Sequence, residues 1–535
     1  MSGERKQSDA AEVASSAETV MLACRERGES LRTAAAVDTE SRKAMASSAT
    51  ALKGQTRHLL LALAAAFSLL ALGYNIVVPV FNAPDEPYHF EYIQYVERHR
   101  ALPDQSQRKT SINVEGFHPP LYYIVGALFL PQFSSRRASD LVIPSARDVY
   151  RFRSNPNSKF RRPLNPPLNW QYKKWGWGEQ LNMFQRLPQD RFPFRGSWRS
   201  IHLLRLVSLP FGIATLFFLF KTAELLYPKD RSVAVLATAI CAFNPQFTFL
   251  HAYINNDTLA TALSTMAFWY LSRFTLDEKD DPRLLIRLGL CTGFALLTKI
   301  NVVFLLPVAL LAILLRAGGV RVLRDRGLPY LLRSGLLFLL PLVIACGWYY
   351  LRSALVYGLD DPLGWNLRAR QNPQLAMVPE LRNAFFQEVF FQQAFTSYWG
   401  RFDWLTILLP AWQYWIYGLI SCMGLVGIMS LIQRAARGRD FTARDVCLSI
   451  LLFASLLAVG ALINANLTLI AAQGRLLFPV MGPLSIFMAI GLSSAIRRME
   501  RVRPLQRRYL VAAIVIAMGG LNLHALFNVI VPAYS

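Results

Sequence analysis

About eleven stretches of apolar residues, most of them near the length of one bilayer crossing, run through the chain and leave it few possible folds. A hydrocarbon core of ~30 Å needs roughly 20 apolar residues per helix. In lipid every backbone N–H and C=O must be paired within its segment, so each stretch is expected to be helical. The spans fall near Leu59 to Val80, Ile201 to Tyr227, Ser232 to Leu250, Leu259 to Thr275, Leu284 to Thr298, Val302 to Leu315, Ser334 to Tyr357, Thr406 to Ile432, Val446 to Ile463, Leu476 to Ile496 and Tyr509 to Val531. The short pair around Thr298-Lys299-Ile300-Asn301 is either two helices meeting near one face or one kinked span with a re-entrant piece. With 53% apolar and 17% charged residues, the composition is that of an all-α integral membrane protein rather than a soluble domain.

Orientation follows from basic residues in short connections, which stay on the cytoplasmic side. Arg316, Arg321, Arg324, Arg326 and Arg333 form one such connection, Arg434, Arg437, Arg439 and Arg444 a second, and Arg497, Arg498, Arg501, Arg503, Arg507 and Arg508 a third. All three are inside if the N-terminus is inside and the short pair is two helices. The region from Phe81 to Ser200 is then an outer loop, and so is the aromatic segment 358–405. A rival topology, with Pro119 to Pro131 crossing the membrane, is rejected because that run is short and would put the three connections outside. The formal charge of +23 is largely this same bias, and no nucleic-acid motif accompanies it. Part of the outer excess, in the basic insertion from Ser134 to Ser200, suits an anionic lipid-linked substrate.

The first 57 residues, with one weak helix around Ala10 to Arg27, are expected to be a mostly disordered cytoplasmic tail ahead of a membrane domain from 58 to 535. The apolar run that follows is too long for a signal-peptide core and lacks a small-residue cleavage site, so a retained anchor is expected. Five of the six cysteines lie in apolar spans with no C-x-x-C pair, which suggests neither a disulfide framework nor a zinc site.

Chemistry concentrates just past the first span, in Pro84-Asp85-Glu86-Pro87-Tyr88-His89-Phe90-Glu91. Two adjacent carboxylates between prolines are held in a restricted turn at headgroup level, where an ionised one can deprotonate a hydroxyl or ligate a divalent cation such as Mg or Mn. A solvated juxtamembrane turn is the plainer alternative. From Tyr88 to Val96 the apolar residues recur at helical spacing, describing an amphipathic helix on the membrane surface that leaves Glu91 and Gln94 towards an outer cavity. His118-Pro119-Pro120 opens a second interfacial helix, and the two helices would roof the acidic turn. His118 and His89 are either substrate contacts or satisfied polar residues.

Several of these features together resemble the GT-C superfamily: Asp-Glu after the first span, His118-Pro119-Pro120, Arg205-Leu206 leading the second span, and Leu297-Thr298-Lys299 before a proline-containing helix. These are multi-span glycosyltransferases that use polyprenyl-phosphate-linked sugars, among them protein mannosyltransferases and the aminoarabinose transferase of lipid A. Asn255-Asn256-Asp257, Tyr398-Trp399-Gly400-Arg401-Phe402 and Gln473-Gly474-Arg475 further resemble a bacterial branch whose members are of unknown function. The resemblance covers roughly Leu59 to the C-terminus and implies a GT-C-like bundle. It implies Asp85 as catalytic base or metal ligand, Glu86 as its acidic neighbour, and Asp257 as a second acid able to share a metal with Asp85. One departure matters: the aminoarabinose transferases carry an Arg where this chain has Tyr88, so phosphate contact must come from elsewhere.

Lys299, Arg401 and Arg475 are candidates for that contact, with snorkelling or interfacial anchoring as the alternative for each. Asp257 can equally serve as a helix cap. Trp399 belongs either to the interfacial aromatic belt or to a platform beneath the sugar or isoprenoid. The resulting expectation is an inverting transferase at the outer face of the bacterial inner membrane, with a polyprenyl-phosphate sugar as donor and a lipid, glycan or protein as acceptor. A lipid or polysaccharide flippase would be expected to place ionisable residues at mid-membrane, where these spans have almost none. A non-catalytic assembly protein of a polysaccharide pathway is the other alternative.

Overall fold

In a computed structural model, the residues described are 57–106, 112, 114–133, 190–277, 279–317, 327–371, 382–438, 442–469, 471–502 and 506–534. Apart from Arg57, the expected tail over residues 1–57 lies outside them, as does most of the basic insertion. Residues 63–535 form one unit, whose described residues are mostly helical. Each of the expected spans is matched by helix, and among the described residues seven helices are long and apolar enough to cross a membrane: Arg57–Val77, Gly196–Leu226, Gly327–Tyr357, Ala411–Arg437, Ala443–Thr468, Gly474–Val502 and Arg507–Tyr534. The chain is a multi-pass membrane protein.

The remaining segments are shorter or more polar; those over residues 231–276 are largely buried, whereas Val303, Leu310, Leu314 and Leu315 of Ile300–Arg316 are exposed. The segment expected over Ser232 to Leu250 is two helices, Arg231–Ala242 and Pro245–Leu250. Asn244 breaks it by accepting the amide of Phe247 at 2.9 Å, with Pro245 at the first position of the new helix. Asp257–Leu276 carries Thr258, Thr261, Ser264, Thr265 and Ser272 on buried faces, as befits a helix surrounded by other helices rather than by lipid. The short pair is two helical segments, Pro282–Leu296 and Ile300–Arg316, broken at Leu297-Thr298-Lys299. Gly289 and Gly293 let Pro282–Leu296 approach Gly327–Tyr357: a Cβ on Gly293 would lie 2.7 Å from that of Ala345. The span expected from Thr406 begins instead at Ala411, because Ile407–Leu408 pairs antiparallel with Arg401–Phe402 in a two-residue hairpin.

Two ends of the bundle differ in charge. At one, Asp230 receives Arg497 at 2.8 Å and Arg507 at 2.6 Å, Arg434 pairs with Asp445 at 2.9 Å, and Arg444 lies over the ring of Tyr227. These contacts gather two of the arginine-rich connections at the end where Arg231–Ala242 starts.

At the other end, the turn after the first helix is fixed by Glu86 and Arg205, both fully buried. Arg205 Nε and Nη2 each donate to one Glu86 oxygen at 2.7 Å. The remaining guanidinium hydrogens go to the carbonyls of Val78 at 2.8 Å, Pro79 at 3.0 Å and Asn75 at 3.4 Å, while Glu86 accepts the amides of Phe81 and Ile254. The helix Glu86–His99 is therefore enclosed by protein: Tyr88, Phe90, Tyr92, Ile93 and Val96 are buried, and so is Gln94, which the surface-helix expectation turned outward. Leu121–Phe133 is 13 residues long, roughly 20 Å, too short to cross. It packs on Glu86–His99 through Tyr122, Tyr123, Ala127 and Leu130.

Removing one partner of a buried, fully hydrogen-bonded ion pair costs about 3–5 kcal/mol, because the other charge is stranded. Glu86→Ala and Arg205→Ala should each lower the thermal unfolding midpoint of the purified protein by many degrees or prevent its accumulation. A midpoint near that of the parent would refute this role.

Candidate functional site

Five separate connections at the end away from the Asp230 cluster converge on one ionic site. Asp85 stands just before the helix Glu86–His99 with a left-handed backbone, φ 64°. Because of that turn, Glu86 enters the core while the Asp85 carboxylate, about 30% exposed, reaches Arg475 in a close ion pair. Arg475 is set by Gly474, whose amide donates to Ser397 Oγ at 2.8 Å; a Cβ there would collide with the backbone of Ala394 and Tyr398. The other guanidinium nitrogens donate to Gln473 Oε1 at 2.6 Å and to Tyr253 Oη at 2.9 Å, and Nη1 lies 3.9 Å from Asp257 Oδ2. Asp257 Oδ1 receives Lys299 Nζ at 2.5 Å. Asp85, Arg475, Asp257 and Lys299 thus alternate in sign along one buried row. Its ends, Asp85 and Lys299, are the more exposed members.

Capping at the Asp257 helix falls to Asn255, whose Oδ1 accepts the amide of Thr258 at 3.2 Å, leaving Asp257 for the ionic row. A second cluster adjoins it. The His118-Pro119-Pro120 turn is tied to the Lys299 break by the Leu121 amide, which donates to the carbonyl of Leu297 at 2.9 Å. His118 Nε2 lies 2.8 Å from Glu115, and Nδ1 lies 3.4 Å from the Asn256 amide nitrogen. That nitrogen is also 3.3 Å from Tyr123 Oη, which shares a 2.9 Å hydrogen bond with His89 Nδ1. His89 stands one turn after Asp85 on the same helix face. Glu115 is missing from the sequence-derived candidates; its signal is the three-residue spacing to His118.

Burial lowers the His89 pKa to about 4, outweighing the carboxylates of Glu115 and Asp85, with His118 and Lys299 pushing the same way as burial. Burial pushes Glu115 up, but His118 and His89 more than offset it and hold it well below the usual carboxylate range.

Other expected members of the site lie elsewhere. Glu86 has both oxygens committed to Arg205 and two amides, a framework role in place of the catalytic one expected. Arg401 is turned to the carbonyl of Leu405 at 2.7 Å inside its hairpin, away from the ionic row. Trp399, about 1% exposed, stacks on Tyr417 at 4.6 Å and donates to Ser421, so it is neither belt nor platform. Glu91 lies half-buried further along the helix, on the side away from His89.

The expected metal pair, Asp85 and Asp257, does not fit a divalent ion. The Arg475 guanidinium already stands between the two carboxylates, and among the described residues no three His, Cys, Asp or Glu side chains converge.

Among the described residues the architecture is a largely helical, multi-span bundle with an ionic site built from the connections at one end, which defines the class. Residues 198–348, a little over a quarter of the chain, match the sequence model of the dolichyl-phosphate-mannose-protein mannosyltransferase family, one of the groups its motifs resemble. No curated protein matches the sequence. Among solved structures, ArnT from Cupriavidus metallidurans bound to undecaprenyl phosphate is similar at 11% identity and TM-score 0.40, over 89% of this chain and 73% of that one. The apo oligosaccharyltransferase of Archaeoglobus fulgidus is similar at 13% identity and TM-score 0.44, over 89% of this chain and 55% of that one. The same enzyme in complex with Zn and sulfate gives 12% identity and TM-score 0.43, over 86% of this chain and 52% of that one. This chain spans just over half the length of the oligosaccharyltransferase, and likeness at this level carries no residue roles across.

The folded state keeps His89 neutral down to about pH 4, whereas in the unfolded chain it takes a proton near 6.5. Between those values the unfolded state binds more protons, so stability rises with pH across the window and falls on acidification. His89→Gln should flatten the pH dependence of the thermal unfolding midpoint between about pH 4 and 6.5. An unchanged slope would contradict this account.

Proposed function

We propose that the protein transfers a sugar from a polyprenyl-phosphate carrier to a hydroxyl-bearing envelope acceptor on the outer face of the bacterial inner membrane. The single observation that carries this reading is the row Asp85, Arg475, Asp257, Lys299, which sets Arg475 beside the partly exposed Asp85 carboxylate and a second cation, Lys299, beyond Asp257. The matched family takes its name from dolichyl-phosphate-mannose, which supports a donor of that class. Arginine-rich connections stay cytoplasmic, and their gathering at the Asp230 end supports an outward-facing site and a cytoplasmic N-terminus.

In the proposed step the acceptor oxygen forms a bond to the anomeric carbon and its proton passes to the Asp85 carboxylate. The bond from that carbon to the phosphate oxygen breaks, and the phosphate leaves with the electron pair towards Lys299 and Arg475. A single displacement inverts the anomeric configuration. Asp85 and the phosphate compete for one guanidinium, so arrival of the donor frees the base. Glu86, Arg401 and Trp399 act through the framework, and no step is routed through a metal ion.

Asp85→Asn should lower transfer by about 10²–10⁴-fold while leaving the unfolding midpoint close to the parent value. Full activity would remove Asp85 from this role. Orientation is tested with single cysteines in a cysteine-free background. Ser106→Cys should react with an impermeant maleimide on intact cells, and Ala436→Cys only after the membrane is opened; the reverse pattern would sink the proposed face.

A further inference from the structure

The ionic site is lopsided in what it leaves unused. Each cationic nitrogen already has an acceptor: Lys299 Nζ has Asp257, and the three of Arg475 have Gln473, Tyr253 and Asp85. Acceptors are left over. Asn256 Oδ1 and Asp257 Oδ2 are buried oxygens without a hydrogen-bond partner, on adjacent residues that are 0% and 1% exposed. Buried acceptors in native proteins are nearly always paired, so two neighbouring orphans mark a place where something bearing donors belongs. An ionised phosphate diester offers only acceptors and cannot fill it.

The surroundings fix the ligand's character further. The Asn256 amide nitrogen faces His118, Tyr123 and the carbonyl of Thr298, while the Asp257 carboxylate lies between Lys299 and Arg475. Of the two adjacent residues, Asn256 thus adjoins the Glu115–His118 pair and Asp257 the two cations. A phosphate held by Lys299 and Arg475 would carry its substituent towards Asn256. We propose that Asn256 and Asp257, backed by Glu115 and His118, form the subsite for the donor's sugar ring, recognising adjacent ring O–H or N–H donors rather than the phosphate. This rests on the reading above that the site holds a polyprenyl-phosphate sugar. A site built to hydrogen-bond such groups discriminates strongly, because a ligand lacking them leaves its buried acceptors unpaired.

The test compares two affinities on the full-length protein in nanodiscs: bare undecaprenyl phosphate, and undecaprenyl phosphate carrying each of a panel of neutral hexoses and a 4-amino pentose. The parent should bind at least one sugar lipid about tenfold more tightly than the bare lipid, and the sugar that does so tells hydroxyl from amine recognition. Asn256→Ala should bring that ratio close to one while leaving affinity for the bare lipid within about twofold. An unchanged ratio, or both affinities falling together, overturns the subsite. Asn256→Ser serves if the alanine variant does not fold; loss of the fold in both assigns Asn256 to the framework and overturns it equally. A parent that fails to bind bare undecaprenyl phosphate overturns the donor reading itself. One that binds it but prefers no sugar lipid overturns only the subsite.

Discussion

Charge sealed away from water must be answered by opposite charge, and in this chain the answer given at Glu86 and Arg205 organises everything around it. Both side chains are wholly buried, and the bidentate contact is supplemented by three carbonyls on the arginine side and two amides on the carboxylate side. Such a pair adds little net stability compared with a well-packed apolar substitute, but it permits one arrangement and penalises others. Here it sets the path from the first helix into the helix Glu86–His99. Through the amide of Ile254 it also sets the segment that presents Tyr253, Asn256 and Asp257.

The helical spans are legible in the sequence because lipid imposes a length and forbids unpaired backbone, constraints that act locally. Breaks that depend on a single side chain are harder to see. Asn244-Pro245 splits an apolar run that hydropathy joins, and the hairpin ahead of Ala411 replaces the first turn of an expected helix. Asp85, Asp257, Lys299 and Arg475 each stand out one at a time. That they meet is not written in any local pattern, since Arg475 and Asp85 lie 390 positions apart.

The opposite error arises where local signals are strong. Aromatic density around Trp399 suggests a belt in the headgroup region, yet the indole is enclosed and stacked on a neighbouring helix. Arg401, with similar surroundings, serves its own hairpin. Glu115 escapes attention because nothing apolar and periodic frames it; its importance comes from His118, three residues on, together with His89, which only the folded chain brings near. The ionic row itself sums to no charge, which makes its burial tolerable, and the partial exposure of its Asp85 end leaves Arg475 open to exchange with an anion.

The left-handed turn at Asp85 sends two neighbouring acids in opposite directions, one to the bundle interior and one to the open end of the row. In a genetic screen, lesions at these consecutive codons would give the same phenotype for unrelated reasons. One would silence a protein still present in the membrane, and the other would deplete it, so abundance rather than phenotype tells chemistry from architecture.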